Sequence, residues 1–173
     1  MHVFEKALSG IEDILHVAGC LALITVAAFI NADILMRLIL DTPVEIQFEL
    51  TEIYLMPMLA MLPLARVYRM GGHLALEVIP ADAFGRASPA VHRMTLVAAA
   101  VFFAAVTWKS GEFALHALMR GDVEWGAVDW PLGWAYAAIP LGCGVLTLRL
   151  IVDAVVPGAP RRGPNQTIPT GGE

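Results

Sequence analysis

Charge is scarce in this 173-residue chain. Asp, Glu, Lys and Arg make up 16% of it, against 58% hydrophobic residues. A soluble core of this size needs a charged shell, so an ordinary soluble domain is excluded, and the mean hydropathy of +0.68 agrees. Cysteine is nearly missing: Cys20 and Cys143 are the two present. Both fall inside apolar runs, which argues against a disulfide framework or a thiolate metal site. The 11 basic residues are dispersed. The basic, aromatic-laced patch of a nucleic-acid binder is absent, and no nucleic-acid partner is expected. No long stretch alternates with period two, which argues against a transmembrane barrel. The start of the chain lacks a signal peptide's basic head, short apolar core and small-residue cleavage site, so the first apolar run is expected to be retained.

What the chain does have is four apolar blocks. Each approaches the roughly 20 residues that a membrane helix needs, over about residues 14–36, 46–65, 91–113 and 132–152. The expected fold is an all-α integral membrane protein with four transmembrane helices. The membrane domain is expected over residues 1–156, followed by a disordered, Pro- and Gly-rich tail over residues 157–173. Lys6 precedes the first block. Arg66, Arg69, Arg86 and Arg93 surround the middle connection, and Arg149, Arg161 and Arg162 end the fourth block or follow it. The other connections mix Arg37, Lys109 and Arg120 with Asp33, Asp41, Glu45, Glu112, Asp122, Glu124 and Asp129. This asymmetry predicts that both termini and the middle connection are cytoplasmic.

Helix starts are also legible. Thr42-Pro43-Val44-Glu45 has the form of a capping box, and Ser88-Pro89 marks a start for the third span. Asp129-Trp130-Pro131 does so for the fourth, with Trp130, Trp134 and Tyr136 suited to an interfacial belt. Residues 74–88 have the composition of a short segment lying at the inner surface.

Glu49 and Glu52 lie inside the second block. The uncharged run from Ile53 to Ala65 covers only about 20 Å, short of a hydrocarbon core of about 30 Å. Glu45, Glu49 and Glu52 fall at helical spacing on one face. A carboxylate facing lipid costs a few kcal/mol, so this face is expected to meet protein. Arg37, four residues after Asp33 and close to Asn31, is a partner for Glu49 or Glu52 across adjacent antiparallel spans. Two roles stand open for this polar set: a clamp between helices or a contact with another subunit. An ion or proton relay is a third. Pro57, Pro63 and Pro140 lie within spans, where neighbouring helices satisfy the freed carbonyls. Gly71-Gly72-His73 reads as a helix stop. His16, His92 and His116 raise a haem anchor as an alternative, although they differ in depth. Segments such as LITVAA and AAAVFFAAV leave the midplane apolar, with charge near the interfaces. A self-sufficient carrier places polar groups at the midplane within paired repeats, so the pattern points to an accessory subunit.

Together these motifs resemble the small membrane subunit of tripartite ATP-independent periplasmic (TRAP) transporters. The resemblance rests on Asn31 and Arg37 ending the first span, Glu49 and Glu52 opening the second, Gly72-His73 after its arginines, and AVDWPLGWAYAAIPLG, with Pro131, Trp134 and Pro140, opening the fourth. It runs from Ile14 to Val152. It implies a scaffold role in the bacterial inner membrane beside a large multi-span permease subunit that holds the substrate and sodium sites. It also implies a periplasmic binding protein that delivers an organic acid, such as a dicarboxylate or a sialic acid. It implies no catalytic residue, cofactor or metal in this chain. The competing classes are a haem- or quinone-associated anchor of a redox enzyme and a small autonomous exporter.

Overall fold

The computed structural model describes residues 2–43, 45–70, 88–126 and 128–155. The expected tail, the segment 74–88 and the Gly72-His73 motif lie outside these residues. Four helical stretches within them are long and apolar enough to cross a membrane: Glu5–Leu40, Ile46–Arg69, Arg93–Arg120 and Leu132–Val155.

The first span is one helix, α1 (His2–Leu40), longer at both ends than the apolar block. Leu8, Glu12, Leu15, Gly19, Ala22, Val26, Phe29 and Asp33 are its buried or half-buried seam. They recur at alternating spacings of four and three, the period that keeps one stripe of a helix against a neighbour. The helix stops at Asp41, whose φ of 52° is left-handed, a conformation that aspartate tolerates at a helix end.

The second span is segmented. It comprises α2 (Glu45–Leu50), a π-helical turn (Thr51–Leu55), α3 (Met56–Met61) and α4 (Leu64–Arg69). Its proline positions account for this. Pro57 has no N–H to give to the carbonyl four residues back, and its ring crowds that carbonyl. The chain widens just before it, and Met56 N–H reaches back five residues to Thr51 O. Pro63 makes the second break, after which Val67 N–H donates to Pro63 O at 2.9 Å. The second span begins at Glu45, two residues beyond Pro43, so Pro43 is not the first helical residue that the capping-box reading expected. Val44 and the Glu45 side chain lie outside the described residues.

The third span is α5 (Ser88–Arg120), which begins at the expected Ser88. Gly121, with φ of 66°, turns the chain into a hairpin of β1 (Val123–Glu124) and β2 (Trp130–Pro131). Val123 pairs with Pro131 and Glu124 with Trp130. The chain then enters α6 (Leu132–Val155).

The second span and α6 lie at the centre, with α1 packed on their one side and α5 antiparallel along α6. Small residues set the approach, as expected where lipid gives no hydrophobic drive between helices. A methyl at Gly142 would overlap the Met61 carbonyl, and one at Gly19 would lie 2.6 Å from Pro63 Cγ. Thr107 faces Gly144, Gly111 faces Pro140 and Leu118 faces Gly133. These contacts mark a waist at Gly19, Met61 and Gly142. Below it, Ala65, Leu96, Ala100, Leu146 and Leu150 form one buried apolar cluster.

Candidate functional site

Two polar clusters hold the bundle, one toward each end. At the end where α1 begins and α6 finishes, Glu12 occupies a seam position and has 0% exposure. Arg69 Nη1 of α4 lies 3.0 Å from its Oε2, and Arg149 Nη1 of α6 lies 3.9 Å from its Oε1. Asp13 pairs with Arg66 Nη1 at 3.1 Å and Arg69 Nη2 at 2.5 Å. Arg149 Nε reaches Asp153 at 3.4 Å. Three arginines and three carboxylates from α1, α4 and α6 thus compensate one another. Measured from the waist at 1.5 Å per residue, Arg69 and Arg149 lie about 10–12 Å along the helices, inside half of a 30 Å hydrocarbon core. A carboxylate there is stable only while its cations stay in place.

This cluster was missed in the sequence, where Arg66, Arg69 and Arg149 count only as basic residues that set orientation and Glu12 and Asp13 are not singled out. The signal was available. Glu12 interrupts the four-and-three apolar stripe from Leu8 to Phe29, and a charge inside a stripe is a buried charge.

At the hairpin end, Trp130 Nε1 donates to Glu49 Oε2 at 3.0 Å. Tyr54 packs edge-on against Trp130, with ring centroids 5.7 Å apart, and its hydroxyl donates to Pro131 O at 2.6 Å. Gly126 lies against the Glu49 carboxylate so closely that a methyl would overlap it. Glu49 therefore pins the hairpin to the top of the second span.

The other sequence candidates separate. Arg37 Nε donates to Asp33 Oδ2 at 2.8 Å on its own helix. This corrects the expected cross-span pair with Glu49 or Glu52: Asp33 is one turn away on the same helix, and Glu49 takes the indole. Asn31 is exposed and its amide donates to Ala27 O at 2.7 Å. Glu52 is exposed while Glu49 is half-buried, so the two do not share one environment. Three residues apart, the two sit about 60° from each other around a helix, and Glu49 is the one that meets the hairpin. Among the described residues no ion pair or hydrogen bond holds Glu52. Trp134 is 69% exposed, as an interfacial tryptophan is. Pro140 sits half-buried within α6 against Gly111. The site candidates that the fold joins are thus Glu49 and Pro131, through Trp130 and Tyr54.

A third feature lies on the outer side of α5, level with the waist. Lys109 and Glu112 were assigned to the outer connection, yet α5 runs on to Arg120. Lys109 lies between Thr107 and Gly111, which face Gly144 and Pro140, and is level with Gly142 at the waist. Lys109 Nζ pairs with Glu112 Oε2 at 3.0 Å, with side chains 78% and 49% exposed. The pair points away from the bundle. A lone charge at that depth costs on the order of 3 kcal/mol on insertion scales.

Among the described residues, His16 and His116 do not form an axial pair. His16 lies below the waist and His116 above it, separated in depth by roughly 18 Å at 1.5 Å per residue. The His92 side chain lies outside the described residues.

Four apolar helices, small-residue contacts at the waist and ion pairs between spans define a polytopic integral membrane protein. The family model of the DctQ component of tripartite ATP-independent periplasmic transporters matches residues 17–157. The chain belongs to that family, whose members are small membrane components of a transporter. No curated protein and no solved structure matches it.

Proposed function

We propose that this chain is the accessory membrane subunit of a TRAP secondary transporter. It braces a large multi-span permease subunit during sodium-coupled uptake of an organic acid, such as a dicarboxylate or a sialic acid, that a periplasmic binding protein delivers. It lies in the bacterial inner membrane with both termini and the middle connection cytoplasmic. The charge-cluster end is then the inner one and the hairpin the outer one, as the distribution of basic residues requires.

One observation carries the reading beyond family membership. At the waist, where a carrier places its substrate, the helices meet through Gly19, Pro63, Met61 and Gly142. The buried charge instead joins helices near one end, through Glu12, Arg69 and Arg149. That is the construction of a brace. A haem anchor requires two axial ligands at one depth, which His16 and His116 do not provide. An autonomous exporter requires a polar path through the waist.

Co-expression with the large subunit tests the proposal. With an affinity tag on this chain alone, the large subunit co-elutes in constant ratio. Elution of this chain by itself, from membranes that contain both, contradicts it.

A further inference from the structure

We propose that the outward face of α5 around Lys109 and Glu112 is the surface that docks the large membrane subunit. The inference rests on the subunit reading above and assigns its interface. The occupant is a membrane helix of that subunit, presenting polar or charged side chains at midplane.

Charge bookkeeping on the described residues singles out this face. The other carboxylates of the spans, Glu52 aside, have a compensating group inside the bundle. Glu12 and Asp13 have arginines, Asp33 has Arg37, and Glu49 has the Trp130 indole. Glu52 is exposed as well, but it lies about 13 Å from the waist, toward the edge of a 30 Å core. Lys109 and Glu112 are different. They are level with Gly142 and point outward, paired with each other at 3.0 Å, and the one further charge partner of Glu112 is His116, one turn along the same helix. From the middle of a 30 Å core a lysine stem does not reach the interface. Facing lipid, the pair would keep most of its desolvation cost, because its remaining donors and acceptors would go unmet. A partner helix with polar side chains at that depth meets them.

The surroundings fit a helix rather than lipid. Ala98, Val101, Ala105, Trp108 and Glu112 share one exposed stripe at helical spacing. Its two alanines allow close backbone approach. Trp108, 76% exposed at the waist, is a large anchor away from the interfacial level that tryptophan prefers.

The test uses the full complex. A photo-crosslinking amino acid is placed at Ala105 or Trp108 on this face and, separately, at Leu21 or Ile24 on α1. Crosslinks to the large subunit from α5 and not from α1 are expected. In parallel, Lys109→Met with Glu112→Leu should leave the isolated chain folded, with an unchanged or higher Tm. The same double variant should lower the yield of co-purified large subunit at least fivefold. Retention of full yield by that variant, crosslinks from α1 alone, or crosslinks from α5 only to a second copy of this chain would each overturn the assignment. If the unmodified chain fails to co-purify with the large subunit at all, the subunit reading itself falls, and this inference falls with it.

Discussion

Arg69 Nη1 lies 3.0 Å from Glu12 Oε2, and that contact joins the first span to the second at a carboxylate with 0% exposure. Arg149 approaches the same carboxylate from the fourth span. Removing Glu12 leaves three arginines with two carboxylates, Asp13 and Asp153, at that end of the bundle. Glu12→Ala is expected to destabilise the bundle by about 3–5 kcal/mol, the usual cost of breaking a buried pair from one side. Glu12→Gln, which keeps hydrogen-bonding capacity, should cost less. Melting temperatures in detergent report this. A wild-type Tm for Glu12→Ala would mean that water reaches the carboxylate.

The waist is tested by volume. Gly142→Leu forces a side chain into the Met61 carbonyl and should cost about 1–3 kcal/mol through overpacking. Gly10→Ala, where nothing lies within 4 Å, should be neutral or gain up to about 1 kcal/mol from helix propensity. Opposite signs in the two melting temperatures support the packing described. A tolerated Gly142→Leu would place α3 and α6 further apart.

The hairpin is tested by a double-mutant cycle. Trp130→Phe keeps a ring beside Tyr54 but removes the N–H that Glu49 accepts. It should cost about 1.5 kcal/mol, typical of a hydrogen bond to a charged group. Once Glu49→Leu is present, the same change should cost much less, because the acceptor is gone. Strict additivity would show that the two side chains are not coupled.

Orientation is tested by labelling. Cysteine at Asp122 should react with an impermeant maleimide in cells with a permeabilised outer membrane, and cysteine at Arg93 should react only after lysis. The reverse pattern would invert the assignment of the two ends.

The four spans were legible because apolar length is a property of composition alone. Proline in a span was legible too, but its effect differs by site: the second span breaks at Pro57 and Pro63, whereas α6 continues through Pro140. The partners of the charges were not legible. Arg37 takes Asp33 because local spacing on one helix outcompetes a neighbour whose register the sequence does not reveal. Glu49 and Glu52 part company because residues three apart sit about 60° from each other around a helix, and the hairpin, whose position the sequence does not reveal, covers only Glu49. Lys109 and Glu112 fall inside the third apolar block yet were counted with the charges of the connection after it, whereas α5 continues past them to Arg120. Glu12 was the opposite case. The apolar stripe around it was present in the sequence, and only a count along that stripe was needed to place it in the core.

The central claim is that this chain braces a transporter and does not itself carry solute. The most direct measurement is sodium-driven uptake into liposomes that hold this chain, the large subunit, or both, with the periplasmic binding protein outside. The account predicts no uptake with this chain alone and sodium- and binding-protein-dependent uptake with both subunits. It also predicts uptake that is lost or strongly reduced with the large subunit alone. Uptake by this chain on its own, or full uptake by an equally stable large subunit without it, would contradict the account.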